Sequence, residues 1–187
     1  MPKLLFLSLL ISSLYARPVN TNFIIGGVIK AKDFNGNSYT ITPDAKPVVY
    51  IFLSPECPLC QNYAPIVQAL ADKYKGIQFF GVVSGSTFTK EAVAAYARDY
   101  KIKFPLLKDT DKKIAHELKA TVTPEALLIG KKGKEYYRGL IDDWVTGLGT
   151  KRFKANSNFL DQAIINLITG SEEVYSTKPI GCFISNY

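Results

Sequence analysis

One histidine, one tryptophan, one methionine and three cysteines stand in a chain of 187 residues. Each scarcity excludes something. With His116 alone, a His-rich metal centre or a Ser-His-Asp triad has little to build on. Three cysteines are too few for a disulfide-stapled miniprotein. Beyond the first segment, no apolar run is long enough to cross the ~30 Å of bilayer hydrocarbon. Internal repeats and low-complexity linkers are missing as well. Charge is not gathered into one block: 23 basic and 16 acidic residues leave a net +7. The densest basic run, Lys131-Lys132-Gly133-Lys134, has the look of a hairpin turn. A solvated basic face explains it, and no nucleic-acid partner is expected. What is present is 47% hydrophobic and 12% aromatic, which excludes a disordered or collagenous chain. The length suits one well-buried domain.

Residues 1–16 precede any fold argument. Met1-Pro2-Lys3 gives a short positive start, Leu4 to Ile11 is almost wholly apolar, and Ser12-Ser13-Leu14-Tyr15-Ala16 ends in a small residue suited to cleavage. The pattern is that of a secretory signal peptide. An uncleaved anchor would need a longer apolar run. The mature protein is therefore expected to be secreted or periplasmic, with no stable membrane insertion once the signal is cut. Such compartments are oxidising, so a cysteine pair there can cycle or stay oxidised.

Past the leader, strand and helix signals alternate. Val28 to Asp33 and Ser38 to Thr42 flank Asn35-Gly36, a hairpin signal. Val48 to Leu53 is continuously apolar, as in a central strand buried on both faces. Tyr63, Ile66, Val67, Leu70 and Tyr74 fall at helical spacing between Cys60 and Lys75. Ile77 to Val83 is strand-like, and Thr89 to Tyr100 reads as a helix capped by Thr89. A short strand is expected at Pro105 to Leu107 and a short helix at Lys112 to Lys119. Ala126 to Ile129 and Glu135 to Arg138 bracket the Lys-Gly turn, and Asn158 to Thr169 forms a last helix stopped by Gly170. This order predicts an α/β fold, a mixed sheet with helices on both faces, an N-terminal hairpin and a C-terminal tail. The divisions are a signal peptide at 1–16, one domain at 17–170 and a tail at 171–187 that carries Cys182.

Chemistry concentrates on Cys57-Pro58-Leu59-Cys60. Cys57 follows a buried strand, and Cys60 is expected to open the next helix, where free N–H groups and the helix dipole favour a thiolate. Two intervening residues let both sulfurs meet within one turn, so dithiol and disulfide can interchange with little backbone movement. Cys57, expected on the exposed edge, is the candidate attacking thiolate, and Cys60 the resolving thiol. A static disulfide is one alternative. A zinc site recruiting Cys182 and His116 is another.

Those residues carry a resemblance. Phe52-Leu53-Ser54-Pro55-Glu56-Cys57-Pro58-Leu59-Cys60, Phe104-Pro105-Leu106-Leu107-Lys108-Asp109 and Thr121-Val122-Thr123-Pro124-Glu125-Ala126, followed by Tyr137-Arg138-Gly139, resemble in order the redoxin branch of the thioredoxin-like superfamily. That branch includes periplasmic thiol-disulfide reductases and the alkyl hydroperoxide reductase/thiol-specific antioxidant proteins. The likeness spans about Val28 to Gly170. It implies a thioredoxin-like fold, a cis bond at Thr123-Pro124 facing the active cysteine, and a groove in which the Thr123 backbone pairs with an extended substrate. Ser54 matches the hydroxyl of the peroxiredoxin motif, and Arg138 is a candidate for steadying a thiolate or peroxide oxygen. One redoxin subgroup resembles this chain further, in Tyr137 to Asp143, Leu148-Gly149 and a closing Gly181-Cys182-Phe183-Ile184. In that subgroup the tail thiol is a candidate resolving partner for Cys57; a spare thiol is the alternative.

The chain also departs from the pattern. Glu56 replaces the tryptophan usual before the first cysteine, Ile51 stands where thioredoxins bury an acid, and Tyr50 replaces a peroxiredoxin proline. The expected function is an exported thiol-disulfide oxidoreductase acting on a protein disulfide or redox partner, with no cofactor and no resident metal. A peroxiredoxin-like peroxidase acting on peroxide through Cys57 is the alternative, and a copper- or zinc-binding chaperone a further one.

Overall fold

A computed structural model describes residues 28–42 and 46–184. The leader assigned to residues 1–16 lies outside the described residues, as do 17–27 of the assigned domain and 185–187 of the assigned tail. The fold starts with the hairpin of β1 (Ile29–Asp33) and β2 (Ser38–Ile41). The Asp33 carboxylate accepts the N–H groups of Asn35 and Asn37, both at 2.9 Å. Gly36 takes φ +93°, which a side chain would oppose. β3 (Val48–Leu53) is buried along its whole length, as a continuous apolar run demands. Then follow α1 (Pro58–Lys73), β4 (Gln78–Ser84), α2 (Lys90–Asp99), β5 (Leu106–Asp109) and α3 (Lys113–Glu117). Thr89 caps α2 by accepting the Ala92 N–H at 3.2 Å, satisfying one orphan donor of the first turn.

The second half contributes β6 (Val122–Thr123), β7 (Glu125–Ile129), a tight turn at 131–133, β8 (Glu135–Gly139), β9 (Val145–Gly147), β10 (Thr150–Lys151), α4 (Phe159–Ile168), β11 (Tyr175–Ser176) and β12 (Cys182–Phe183). Among the described residues, eight strands form the main sheet in the order β11-β8-β7-β3-β4-β5-β1-β2. Strands β3, β4 and β5 run parallel at its centre, and β7 and β1 flank them antiparallel. Alternate residues of β3 face opposite sides. Val49, Ile51 and Leu53 pack with Tyr63 and Val67 of α1, Tyr96 of α2 and Leu160 of α4. Val48, Tyr50 and Phe52 pack with Ile114 and Leu118 on the α3 side. Helices cover both faces, as the alternating pattern predicts.

Two differences bear on function. Helix α1 opens at Pro58, not at Cys60, because proline supplies the fixed φ of a first turn and needs no N–H partner there. Cys57 is therefore the N-cap residue. The segment beyond Gly170 is also no free tail. β11 adds in parallel to β8, the Thr177 N–H reaches the Arg138 carbonyl at 2.9 Å, and the Leu140 N–H reaches the Thr177 hydroxyl at 2.8 Å. β12 then pairs antiparallel with β6.

Candidate active site

The site lies where β3 gives way to α1, at the carboxyl ends of the parallel strands, where open α/β sheets place their ligands. The Cys57 N–H donates to the Ser54 carbonyl at 3.1 Å, closing the turn that sets Cys57 at the N-cap. Cys57 is a free thiol there, and so are Cys60 and Cys182. The hydrogen bond offered by Cys60 is the largest influence on Cys57. With the bond to Cys182 and the Cys60 and Leu59 N–H groups it outweighs burial and lowers the Cys57 pKa to about 4. These N–H groups are the orphan donors of a first helical turn, and here a sulfur stands where a serine or aspartate side chain usually caps. Cys60 is fully buried, and its pKa is pushed well up by desolvation first and by Cys57 second. The Ser54 N–H donates to its sulfur at 3.3 Å, and its own carbonyl accepts the Tyr96 hydroxyl at 3.0 Å.

Cys57 is not on an exposed edge. It is 3% exposed, because the C-terminal strand covers it. The sulfur of Cys182 stands 2.7 Å from that of Cys57, while Cys182 itself is exposed. Burial raises the Cys182 pKa to about 11, helped by the bond to Cys57 and its charge. The structure thus brings Cys57, Cys60 and Cys182 together, the last from the far end of the chain.

Thr123 and Pro124 stand on the other side of Cys57. Their peptide bond is cis, as the resemblance implies, and the Thr123 carbonyl is 3.4 Å from the Cys57 sulfur. The loop before them is held by Glu125, which is 1% exposed. Its carboxylate accepts the Thr121 N–H at 2.8 Å, the Thr121 hydroxyl at 3.1 Å and the Val122 N–H at 3.3 Å.

Arg138 corrects an expectation. Its Nε and Nη2 donate to Glu135 at 3.0 and 2.9 Å, and Nη1 to Glu125 at 3.1 Å. The Lys119 and Leu118 carbonyls accept at 3.4 and 2.7 Å. A guanidinium has five N–H donors, and all are engaged in this network, so none is left for a thiolate or a peroxide. Burial works against its charge, but Glu135 and then Glu125 overcome that and hold its pKa above the ordinary value. Arg138 positions the loop that carries Thr123.

Ser54 contributes its backbone to both cysteines, through the bonds already described, and its side chain lines an open pocket of about 450 Å³ with Ser84, Phe88, Thr123, Cys182 and Phe183. Glu56 is exposed. His116 lies exposed on α3, and does not join the cysteines as the zinc alternative required. Among the described residues no group of three or more His, Cys, Asp or Glu side chains is placed to hold a metal ion. Nor is any helix among them long and apolar enough to cross a membrane. Two site features escaped the sequence argument. Glu125 was visible only as part of a motif, since its place beside Arg138 depends on a register shift between Leu128 and Ile129. Gly181 was likewise visible only as part of the closing Gly181-Cys182-Phe183-Ile184 motif; a Cβ there would lie 2.2 Å from the Thr123 carbonyl oxygen.

Comparison with known proteins bears on the family and the fold. The model of the AhpC/TSA family matches residues 27–137. No curated protein matches the chain. Among solved structures, a hypothetical protein from Sinorhizobium meliloti is similar at 25% identity and a TM-score of 0.73, over 85% of this chain and 91% of that one. An uncharacterized conserved protein from Geobacillus kaustophilus is similar at 21% identity and a TM-score of 0.78, over 90% of this chain and 94% of that one. A secreted disulfide oxidoreductase of Mycobacterium tuberculosis, homologous to DsbE of E. coli, is similar at 22% identity and a TM-score of 0.53, over 57% of this chain and 79% of that one.

Proposed function

The chain belongs to the AhpC/TSA family, with a thioredoxin-like fold, and from that premise we propose an exported thiol-disulfide oxidoreductase acting on a protein disulfide. The Cys57 thiolate attacks one sulfur of the substrate disulfide. A mixed disulfide forms, and the second substrate sulfur leaves as a thiolate and takes up a proton. Cys60, deprotonated, then attacks the Cys57 sulfur and expels the substrate dithiol, leaving a Cys57–Cys60 disulfide. The same steps run backwards oxidise a partner dithiol. One observation carries this reading: Cys57 stands at the N-cap of α1, where the first-turn N–H groups favour its thiolate, with the buried Cys60 three residues on in the same helix. Thr123 and Pro124 border the groove. Export rests on the pattern of residues 1–16.

A second reading, a thiol peroxidase, draws support from the family and from the Cys182 sulfur beside Cys57. Here the Cys57 thiolate attacks one peroxide oxygen and the O–O bond breaks, leaving a Cys57 sulfenic acid and a hydroxide that takes up a proton from solvent as water. A second thiol condenses on it, releasing water and forming a disulfide. The test offers the reduced protein disulfide-bonded insulin in one arm and hydrogen peroxide in the other. Turnover of insulin that Cys57→Ser abolishes is the expected result. Peroxide turnover with insulin untouched would replace the first reading by the second.

A further inference from the structure

Strand β12 occupies an edge that the site would otherwise present to a partner. Cys182 pairs with Thr123 and Phe183 with Val122, antiparallel. The Ile184 N–H donates to the Thr121 carbonyl at 3.0 Å, and the Thr123 hydroxyl donates to the Cys182 carbonyl at 3.5 Å. This is the geometry of an extended peptide adding to a sheet edge, at the residue that precedes Pro124. The chain supplies that peptide itself, with a cysteine set against Cys57.

Its register is fixed by close approach. At Gly181 a Cβ would fall 2.2 Å from the Thr123 oxygen and 2.7 Å from its carbonyl carbon, so only glycine lets the strand lie this near. The consequence is an asymmetry of access. Cys57 is buried beneath the strand, whereas Cys182 is exposed at the mouth of the pocket of about 450 Å³, with Phe183 beside it 83% exposed.

We propose that Cys182–Phe183 is a built-in substrate strand and that Cys182 is where an external protein thiol or disulfide exchanges with the enzyme. This rests on the Cys57–Cys60 couple proposed above. Starting from a Cys57–Cys60 disulfide, the Cys182 thiolate attacks the Cys57 sulfur. The Cys57–Cys182 bond forms, the Cys57–Cys60 bond breaks, and Cys60 leaves as a thiolate that takes up a proton. A thiolate of the partner dithiol then attacks the exposed Cys182 sulfur and expels the Cys57 thiolate. The partner's second thiolate attacks its own bound sulfur and frees Cys182. The partner dithiol ends as a disulfide, and its two electrons rest on Cys57 and Cys60. Reversal of every step reduces a partner disulfide. On this route the Cys57–Cys60 couple is kept, but Cys57 meets the partner through Cys182 in place of the direct attack written above.

The full chain carrying Cys60→Ser, mildly oxidised and then treated with reduced glutathione as the probe, tests this after acid quenching and peptide mapping. A Cys57–Cys182 disulfide that opens to place glutathione on Cys182, with Cys57 released as a thiol, is expected. Glutathione on Cys57, or no Cys57–Cys182 disulfide at all, overturns the proposal. The Cys182→Ser protein separates the two levels. Formation of a Cys57–Cys60 disulfide in it upholds the underlying couple, and its absence sinks that couple as well. Exchange of the oxidised Cys182→Ser protein with a protein dithiol should fall about tenfold or more, because the positioned internal thiol is gone. Exchange as fast as in the unmodified chain overturns the relay.

Discussion

The sulfurs of Cys57 and Cys182 stand 2.7 Å apart although 125 residues of chain separate them, and they are held at opposite ends of the thiol range. Cys57 is lowered to about 4, while Cys182 is raised to about 11. A thiol of low pKa is the better leaving group in disulfide exchange. Attack on a bond between the two is therefore directed to Cys182, with Cys57 expelled. Exposure points the same way, since Cys182 is open and Cys57 is covered. Access and electronics agree on which sulfur meets the outside.

The lowered pKa of Cys57 makes the reduced protein's stability depend on pH. Its carboxylate-like thiol has a folded pKa of about 4 against an ordinary 9.0. The stabilisation is fully present above 9.0 and fades as the pH falls towards 4, because protonation is favoured sooner in the unfolded chain. The raised thiols, Cys60 and Cys182, oppose it only as the pH climbs above 9.0. Urea midpoints of the reduced chain relative to Cys57→Ser should therefore rise between pH 4 and 9. A flat difference would mean that Cys57 titrates as an ordinary thiol. Thiolate absorbance supplies the second check. Its transition near pH 4 should vanish in Cys57→Ser and move upward in Cys60→Ser, since Cys60 contributes most of the lowering.

Arg138→Ala should destabilise the protein by about 3–5 kcal/mol, as breaking a buried ion pair leaves an uncompensated charge. The charge left is Glu125, 1% exposed, beside Glu135 at 5%. Urea denaturation measures the loss. The thiolate transition of Cys57 should stay near pH 4 in the folded variant, since no Arg138 donor points at that sulfur. A variant of unchanged stability whose Cys57 transition rises would restore Arg138 to the thiolate.

The central strand, the helix after it and the Asn35-Gly36 hairpin were legible in the sequence because each is local. A continuous apolar run, a 3.6-residue period and a turn dipeptide announce themselves within a few residues. Cys57 at the strand–helix junction was legible for the same reason. Its burial was not, because the cover comes from Cys182–Phe183, and a strand of two residues carries no period. β6 and β11 are equally short. The Arg138 network depends on cross-strand register. Leu127 pairs with Arg138, which sets Glu125 diagonally across on the same face. Counting back from the Lys131–Lys132 turn does not find that neighbour, because a register shift between Leu128 and Ile129 moves the pairing by one residue and so changes the face; charge and motif alone suggested a catalytic cation.

Tyr63 links the active helix to the loop after β8. Its hydroxyl donates to the buried Asp142 carboxylate at 2.6 Å, and the Trp144 N–H donates to the same oxygen at 2.9 Å. Burial first and Asp142 second push the tyrosine's pKa upward. Tyr63→Phe removes one of these donors and should cost about 1–3 kcal/mol, the range for leaving a buried acceptor short of a partner. Trp144 stacks edge-on to Tyr63 with ring centroids 5.8 Å apart, and that contact survives the substitution. Thermal or urea unfolding reads the loss. No loss would show that the Trp144 N–H alone satisfies Asp142.

Gly139→Ala tests whether the C-terminal segment is held from its first strand. Gly139 has φ +136°, a region that side chains rarely adopt. A Cβ there would also meet the Thr177 hydroxyl at 2.2 Å and its carbonyl oxygen at 2.3 Å. Thr177 is the clasp: its N–H reaches Arg138, and its hydroxyl meets both the Leu140 N–H and the Tyr137 hydroxyl at 2.8 Å. Either Gly139 twists or the clasp opens, and the cost should be about 2–4 kcal/mol from backbone strain and overpacking together. If the clasp opens, the chain leading to β12 slackens and the cover over Cys57 lifts more often. Iodoacetamide should then label Cys57 faster in the reduced variant than in the unmodified protein, while Cys60, buried in the core, stays protected. A destabilised variant whose Cys57 is labelled no faster would place the hold on Cys57 in the β6–β12 pairing alone, with Thr177 contributing stability but no cover.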